Sequence, residues 1–174
     1  MAADAELVEH VSVSGKVIEV VTRAELRRRR LRHRCTYIVV VTTDRRIVVH
    51  RRAEWKDVFP GYWDLCFGGI CGVGEPWGVA AERELLEESG LAGNLLDLGP
   101  VAYEIPAPTG PIIGRVFVVV TDAIPTCPDG EVVEVASVPL ADLDAWLASR
   151  PVCPDSRAVV PPVLRRWDLA QAAQ

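Results

Sequence analysis

Short β-rich runs punctuated by glycine and proline dominate the pattern of apolar and polar positions along the chain. Leu7 to Val13 and Lys16 to Val21 flank Ser14-Gly15 and predict an N-terminal hairpin. Thr22 suits the N-cap of a short helix running through Arg30. Tyr37 to Thr42 and Ile47 to Arg51 are two strands joined by a turn at Asp44-Arg45, and their Val and Ile content fits a buried sheet. Pro60-Gly61 makes the next turn, and Tyr62 to Phe67 is expected to be a strand feeding a glycine-rich loop. A helix is expected between Pro76 and Gly90, because Pro is tolerated in a first turn, Glu75 suits the positive end and Gly90 is a natural stop. Leu95 to Glu104 and Ile113 to Val120 read as longer strands. The loop between them, with Pro106, Pro108, Gly110 and Pro111, is expected to wall a substrate pocket. Glu131 to Val138 is a further β-rich stretch, Leu140 to Ser149 an amphipathic helix and Val159 to Ala172 a last helix, with Pro161 and Pro162 among the punctuating residues. Strands mixed with a few helices predict an α/β fold, a sheet sandwiched between helices.

Composition bounds the answer. At 174 residues and 49% apolar, the chain can bury a sizeable core, and a single domain over 1–174 is expected. It would divide into a hairpin and basic helix over 1–34, a core over 35–150 and a C-terminal helix over 151–174. A net charge of -5 and a pI near 5.2 argue against bulk nucleic-acid binding, although Lys and Arg crowd the region before residue 60 and allow a local anion site. Arg27 to Arg30, with Arg32 and Arg34, form a cationic run that reads as a solvated face, with one or two members available to an anionic substrate. No apolar run reaches the length of a membrane span, and no signal-peptide pattern opens the chain. Five cysteines, at 35, 66, 71, 127 and 153, are unpaired in spacing and point to reduced thiols and a cytoplasmic setting. Cys66 and Cys71 lack the second Cys or His pair that a zinc site would need.

The stretch Gly69 to Leu91, GICGVGEPWGVAAERELLEESGL, carries the chemistry. Glu84, Glu87 and Glu88 stand at i, i+3 and i+4, which on an α-helix puts three carboxylates on one face of about 100° width, with Val79 and Leu86 opposite. Like charges at that spacing repel, so either Arg83 relieves a solvated acidic face or a divalent cation binds. Gly68, Gly69, Gly72 and Gly74 form a loop that can bring backbone groups close to a ligand, which favours the cation.

These residues match the Nudix box, G-x5-E-x7-R-E-U-x-E-E-x-G-U with U aliphatic. Gly69, Glu75, Arg83, Glu84, Leu85, Glu87, Glu88, Gly90 and Leu91 fill every defined position. The resemblance implies a Nudix-type α/β/α sandwich with a mixed central sheet and an N-terminal β-hairpin. It also implies Mg²⁺ or Mn²⁺ held by Glu84, Glu87 and Glu88 with the Gly69 carbonyl, and Arg83 orienting the glutamates. Glu75 and Gly90 would be structural supports. Further segments, RHRCTYIVVV, VVHRRAEWKD and FPGYWD, resemble the branch related to isopentenyl-diphosphate isomerase. That enzyme's active-site Cys aligns with Gly68, its metal-binding His residues align with His33 and Ile70, and its diphosphate-facing cations align with Arg52 and Lys56.

The expected activity is therefore metal-dependent hydrolysis of a diphosphate linkage in a nucleoside diphosphate linked to another moiety. Isomerase-like chemistry and a non-catalytic ligand-sensing or interaction domain are the alternatives. Glu84 is the first choice of base within the box, and Glu131 and Glu134 are candidates outside it. Trp63, Trp77 and Tyr103 are candidates to stack a base, and Pro106 lies near the position of an ADP-ribose hydrolase marker. The expected partner is a small diphosphate, with no membrane, and the resemblance allows a homodimer.

Overall fold

The chain splays two neighbouring strands and slots the start of the glycine loop between them. In a computed structural model describing residues 3–104 and 110–172, β1 (Leu7–Val11) and β2 (Val17–Thr22) pair as the expected antiparallel hairpin. Thr22 then caps α1 (Arg23–Arg29), its Oγ1 accepting from the Glu25 amide at 3.2 Å. β3 (His33–Val41) and β4 (Arg46–Arg52) leave their turn paired only at Val41 and Ile47. Into the gap comes β5, which is two residues long, Trp63–Asp64, where the sequence suggested Tyr62 to Phe67. The residues beyond it cross to β3 instead, bridging Ile38 with Phe67 and Cys35 with Ile70. One segment thus serves two strands, which is why no long ladder forms.

The remaining strands complete a mixed sheet. β6 (Leu96–Tyr103) pairs antiparallel with β7 (Ile112–Val120), β7 runs parallel to β3 over its whole length, and β8 (Val132–Pro139) lies antiparallel to β4. Alternation along β3 assigns each face a helix layer. Tyr37, Val39 and Val41 pack with Leu143 and Leu147 of α3 (Leu143–Ala148) and Val160 and Leu164 of α4 (Pro154–Ala172). Ile38 and Val40 face Ala81 and Leu85 on the other side. The architecture is therefore the expected α/β arrangement with a mixed sheet and N-terminal hairpin.

Three expectations about helices change. α2 spans only Trp77–Glu84 and passes into a π-helical turn, Leu85–Ser89, before Gly90 closes it at φ 71°. α3 is preceded by a separate 3₁₀ turn, Leu140–Asp142. α4 begins at Pro154 and carries Pro161 and Pro162 inside it. Those prolines remove two helical donors, but burial of Val159, Val160, Val163 and Leu164 holds the helix on the sheet. Pro106 and Pro108 of the expected pocket loop lie outside the described residues. Among the described residues no helix is long and apolar enough to cross a membrane.

Candidate active site

The glycine loop and α2 meet at a cleft of about 570 Å³. One wall is acidic. A Cβ at Gly69 would lie 2.6 Å from Glu84 Oε1, so only glycine lets that carboxylate reach the loop. Glu88 Oε2 accepts from the Gly68 amide at 2.9 Å. Burial raises the Glu84 carboxyl, and burial with the neighbouring Glu84 and Glu131 charges pushes Glu88 up to about 8. Glu87, by contrast, is exposed at the rim, where Arg83 Nη1 donates to its Oε2 at 3.1 Å. The π turn explains the separation. With more residues per turn, the rotation per residue is smaller, so Glu88 stays nearly in line with Glu84 while Glu87 falls further round the axis. All three carboxylates nonetheless line the one cleft, Glu84 and Glu88 inside it and Glu87 at its exposed rim.

Arg83 and Glu75 tie loop to helix. Arg83 Nε and Nη2 donate to the two Glu75 oxygens at 2.9 Å each, and Nη1 also reaches Glu84 Oε1 at 2.8 Å. The Arg83 hydrogen bonds hold Glu75 below its usual carboxylate range. Glu75 Oε2 in turn accepts the Gly72 amide at 2.8 Å. The hairpin joins this brace through Glu9, buried in β1, which accepts from the Gly74 amide at 2.9 Å and from Arg34 at 3.1 Å. Sequence reasoning missed Glu9, whose only signal is a carboxylate at an inward position of a strand with Val8 and Val11.

The same cleft is also lined by cations, Arg23, Arg52 and Lys56. Arg52 Nε donates to the Val58 carbonyl at 3.2 Å, and Lys56 is paired with Glu131. Arg23 was not foreseen. It follows the cap residue Thr22, its Nη1 donates to Glu6 at 3.0 Å, and its Nε is buried without a partner. Most of the arginine run is spent elsewhere: Arg27 on Asp57, Arg28 on Glu25, Arg29 on Glu19 and Arg34 on Glu9 and Glu75. Asp129 and Glu131 line the cleft from the loop before β8. Glu134 does not line it: Arg51 Nε donates to it at 3.0 Å on β8. Trp63 packs edge-on against Trp146, Trp77 lies under the Arg34 guanidinium at 4.5 Å, and neither they nor Tyr103 line the cleft.

The donor chemistry fits a hard divalent cation. Two half-buried carboxylates lie along a glycine loop, and the Gly69 carbonyl, which accepts the Thr36 amide at 3.0 Å, keeps a second lone pair. No ready-made cage of three or more His, Cys, Asp or Glu stands among the described residues.

Comparison with known proteins agrees with this geometry. The NUDIX domain family matches residues 31–160. The Pseudomonas aeruginosa protein described as uncharacterized Nudix hydrolase PA4841 is 37% identical over 157 residues, covering 89% of this chain and 91% of that protein. The Salmonella typhi Nudix hydrolase YfcD is 43% identical over 91 residues, 52% of this chain and 50% of its own length. In fold, the chain resembles DR0079 of Deinococcus radiodurans, at TM-score 0.76 and 21% identity over 92% of this chain and 98% of that one. It also resembles the NUDIX domain of Shewanella oneidensis NrtR complexed with ADP ribose, at TM-score 0.63 and 17% identity over 84% and 98%. With Gly69, Arg83, Glu84, Glu87 and Glu88 of the box lining one cleft and the family match spanning most of the sequence, the chain belongs to the Nudix family and is a hydrolase of phosphorus-containing anhydrides.

Proposed function

We propose that this cleft splits the diphosphate linkage of a nucleoside diphosphate joined to another moiety, with a divalent cation bound. The observation that carries this reading is that one cleft gathers the carboxylates Glu84 and Glu88 and the cations Arg23, Arg52 and Lys56. Glu84 and Glu88, with the Gly69 carbonyl, would hold Mg²⁺ or Mn²⁺, whose chemistry is to neutralise phosphate charge and lower the pKa of an attacking water. Glu87 would join from the rim. Arg52 and Lys56 bind the phosphate oxygens, Arg52 through its planar fork and Lys56 as a point charge. Glu84 remains the candidate base within the box and Glu131 the candidate outside it, since Glu131 lines the cleft and Glu134 does not. The free cysteines support a cytoplasmic setting.

Gly68 disfavours isomerase chemistry. At φ 146° a Cβ there would stand 2.0 Å from the Thr36 carbonyl, so an acid-base thiol has no room at that position. The test is mononucleotide or phosphate release from nucleoside diphosphates, dinucleotides, sugar nucleotides, ADP-ribose and isopentenyl diphosphate, with Mg²⁺ or Mn²⁺ and with chelator. Metal-dependent turnover that falls by about 10²-fold or more in Glu88→Gln supports hydrolysis. Ligand binding with no turnover in the wild type would instead favour a sensor.

A further inference from the structure

Adjoining the cleft, and sharing Arg23, Arg52 and Gly69 with it, lies a smaller chamber of about 130 Å³. Leu26, Val58, Ile70 and Ile112 give it apolar walls. Beside Cys35, Arg23, Arg27 and Arg52, two side chains with acceptor atoms interrupt that surface. Asp155, in the first turn of α4, has Oδ2 accepting from the Tyr37 hydroxyl at 3.2 Å. His33 places Nδ1 at 2.9 Å from the Leu31 carbonyl, so Nδ1 carries the proton, and burial keeps the ring neutral with a pKa of about 4. Nε2 is then a bare acceptor, with no partner among the described residues. Of the arginines lining the same space, Arg23 Nη1 donates to Glu6, Arg27 Nη1 to Asp57 and Arg52 Nε to the Val58 carbonyl, while the buried Arg23 Nε has no partner among the described residues.

We infer that this chamber receives the non-phosphate end of the substrate, and that Asp155 and His33 select a compact group of single-ring size bearing N–H or O–H donors. Size sets the first limit. At about 130 Å³ the space is less than a quarter of the adjoining 570 Å³ cleft, a size suited to one ring rather than a nucleoside entire. A ribose would therefore remain at the opening beside Arg23 and Gly69. Polarity sets the second limit. A donor-free hydrocarbon would displace water from Asp155 and His33 and return no hydrogen bond, a net loss for both groups. Asp155 is raised to about 6 by burial and by the Asp64 charge, so above that pH it presents a carboxylate.

This inference rests on the diphosphate reading of the cleft, and binding separates the two. Calorimetry in Ca²⁺ would compare pyrimidine nucleoside diphosphates, which carry one donor-bearing ring, with isopentenyl diphosphate, which is compact and donor-free, and with inorganic pyrophosphate. The wild type is expected to bind at least one pyrimidine diphosphate about tenfold or more tightly than either of the others. Asp155→Asn is expected to cut the ratio of pyrimidine diphosphate to pyrophosphate affinity about tenfold, the scale of one hydrogen bond to a charged group. Val58→Phe, which fills the chamber without touching either acceptor, is expected to cut the same ratio, and melting curves check that each variant is folded. Equal affinities in the wild type, tightest binding of isopentenyl diphosphate, absence of binding, or a ratio retained in both variants would overturn the inference. A retained preference with no Mg²⁺-dependent turnover would overturn hydrolysis alone.

Discussion

Adding one carbon at Gly69 puts it 2.6 Å from the Glu84 carboxylate, and the only relief is for Glu84 to swing away from the loop. Gly69→Ala is therefore expected to weaken Mn²⁺ binding by about tenfold or more, because one of two half-buried donors leaves the shell. Titration of the folded variant by calorimetry would check it; unchanged affinity would mean that Glu84 is not a ligand. Its neighbour differs in kind. At Gly68 the obstacle is the Thr36 carbonyl, backbone that cannot rotate aside, so Gly68→Cys is expected to lose more than about 2 kcal/mol of stability rather than gain isomerase activity. At this scale the motif was legible because its spacing is rigid. What could not be read was the difference between Glu87 and Glu88, identical residues of which one is exposed and the other half-buried. That difference is set by the helix axis, not by residue type.

The loop and α2 act as one unit because Arg83 spans them. Its guanidinium bonds both oxygens of Glu75 and one each of Glu84 and Glu87, so removing it leaves three carboxylates without their nearest cation. Arg83 is about one-third exposed, and solvent will screen part of the loss. Arg83→Ala is expected to cost about 1–2 kcal/mol, or a fall in melting temperature of roughly 3–8 °C, with catalysis reduced further because Glu84 loses its orientation. Arg83→Lys should recover little, since a single ammonium cannot reproduce the paired bonds to Glu75. The sequence disclosed this unit by its capping residues and glycine stop, and it disclosed the hairpin and the long strands by their β-branched runs. It did not disclose the π turn, the wedge of β5 between β3 and β4, or a helix running through Pro161 and Pro162. Each of these depends on partners far away in the chain: Gly68 for Glu88, Ile38 for Phe67, and the sheet face for Val160 and Leu164. The chamber was hidden for the same reason, since it joins His33 and Ile112 to Asp155, contributed by β3, β7 and α4.

Buried titratable groups spread through the whole molecule give its stability a predictable pH profile in the absence of metal. His33 and His50 are buried neutral, with pKa values of about 4 against 6.5 in the unfolded chain, so between those values the unfolded state holds more protons and stability rises with pH. Asp155 and Glu88 act in the opposite sense. Burial raises them to about 6 and about 8 from 3.8 and 4.5, so the folded state holds more protons and stability is lost as pH rises through those ranges. From pH 4.5 to 6 the two histidines offset the two acids and the profile should be nearly flat. From 6 to 6.5 the histidines outweigh Glu88, and above 6.5 Glu88 is the member of this set of four that still titrates. Stability of the chelated protein should therefore peak near pH 6.5 and fall by about 2 kcal/mol by pH 8, at about 1.4 kcal/mol per pH unit for one proton. Melting curves in EDTA would show a drop of roughly 4–8 °C over that interval. Glu88→Gln should remove the drop, and saturating Mg²⁺ should remove it too, because a cation favours the ionised carboxylate. His50→Phe, which keeps a ring stacked on Phe67 at the 4.5 Å spacing, should instead tilt the acid side, making stability decline between pH 4.5 and 6. A wild-type profile that keeps rising to pH 8 in EDTA would show that Glu88 is ionised without metal, and that the acidic wall needs no cation to form.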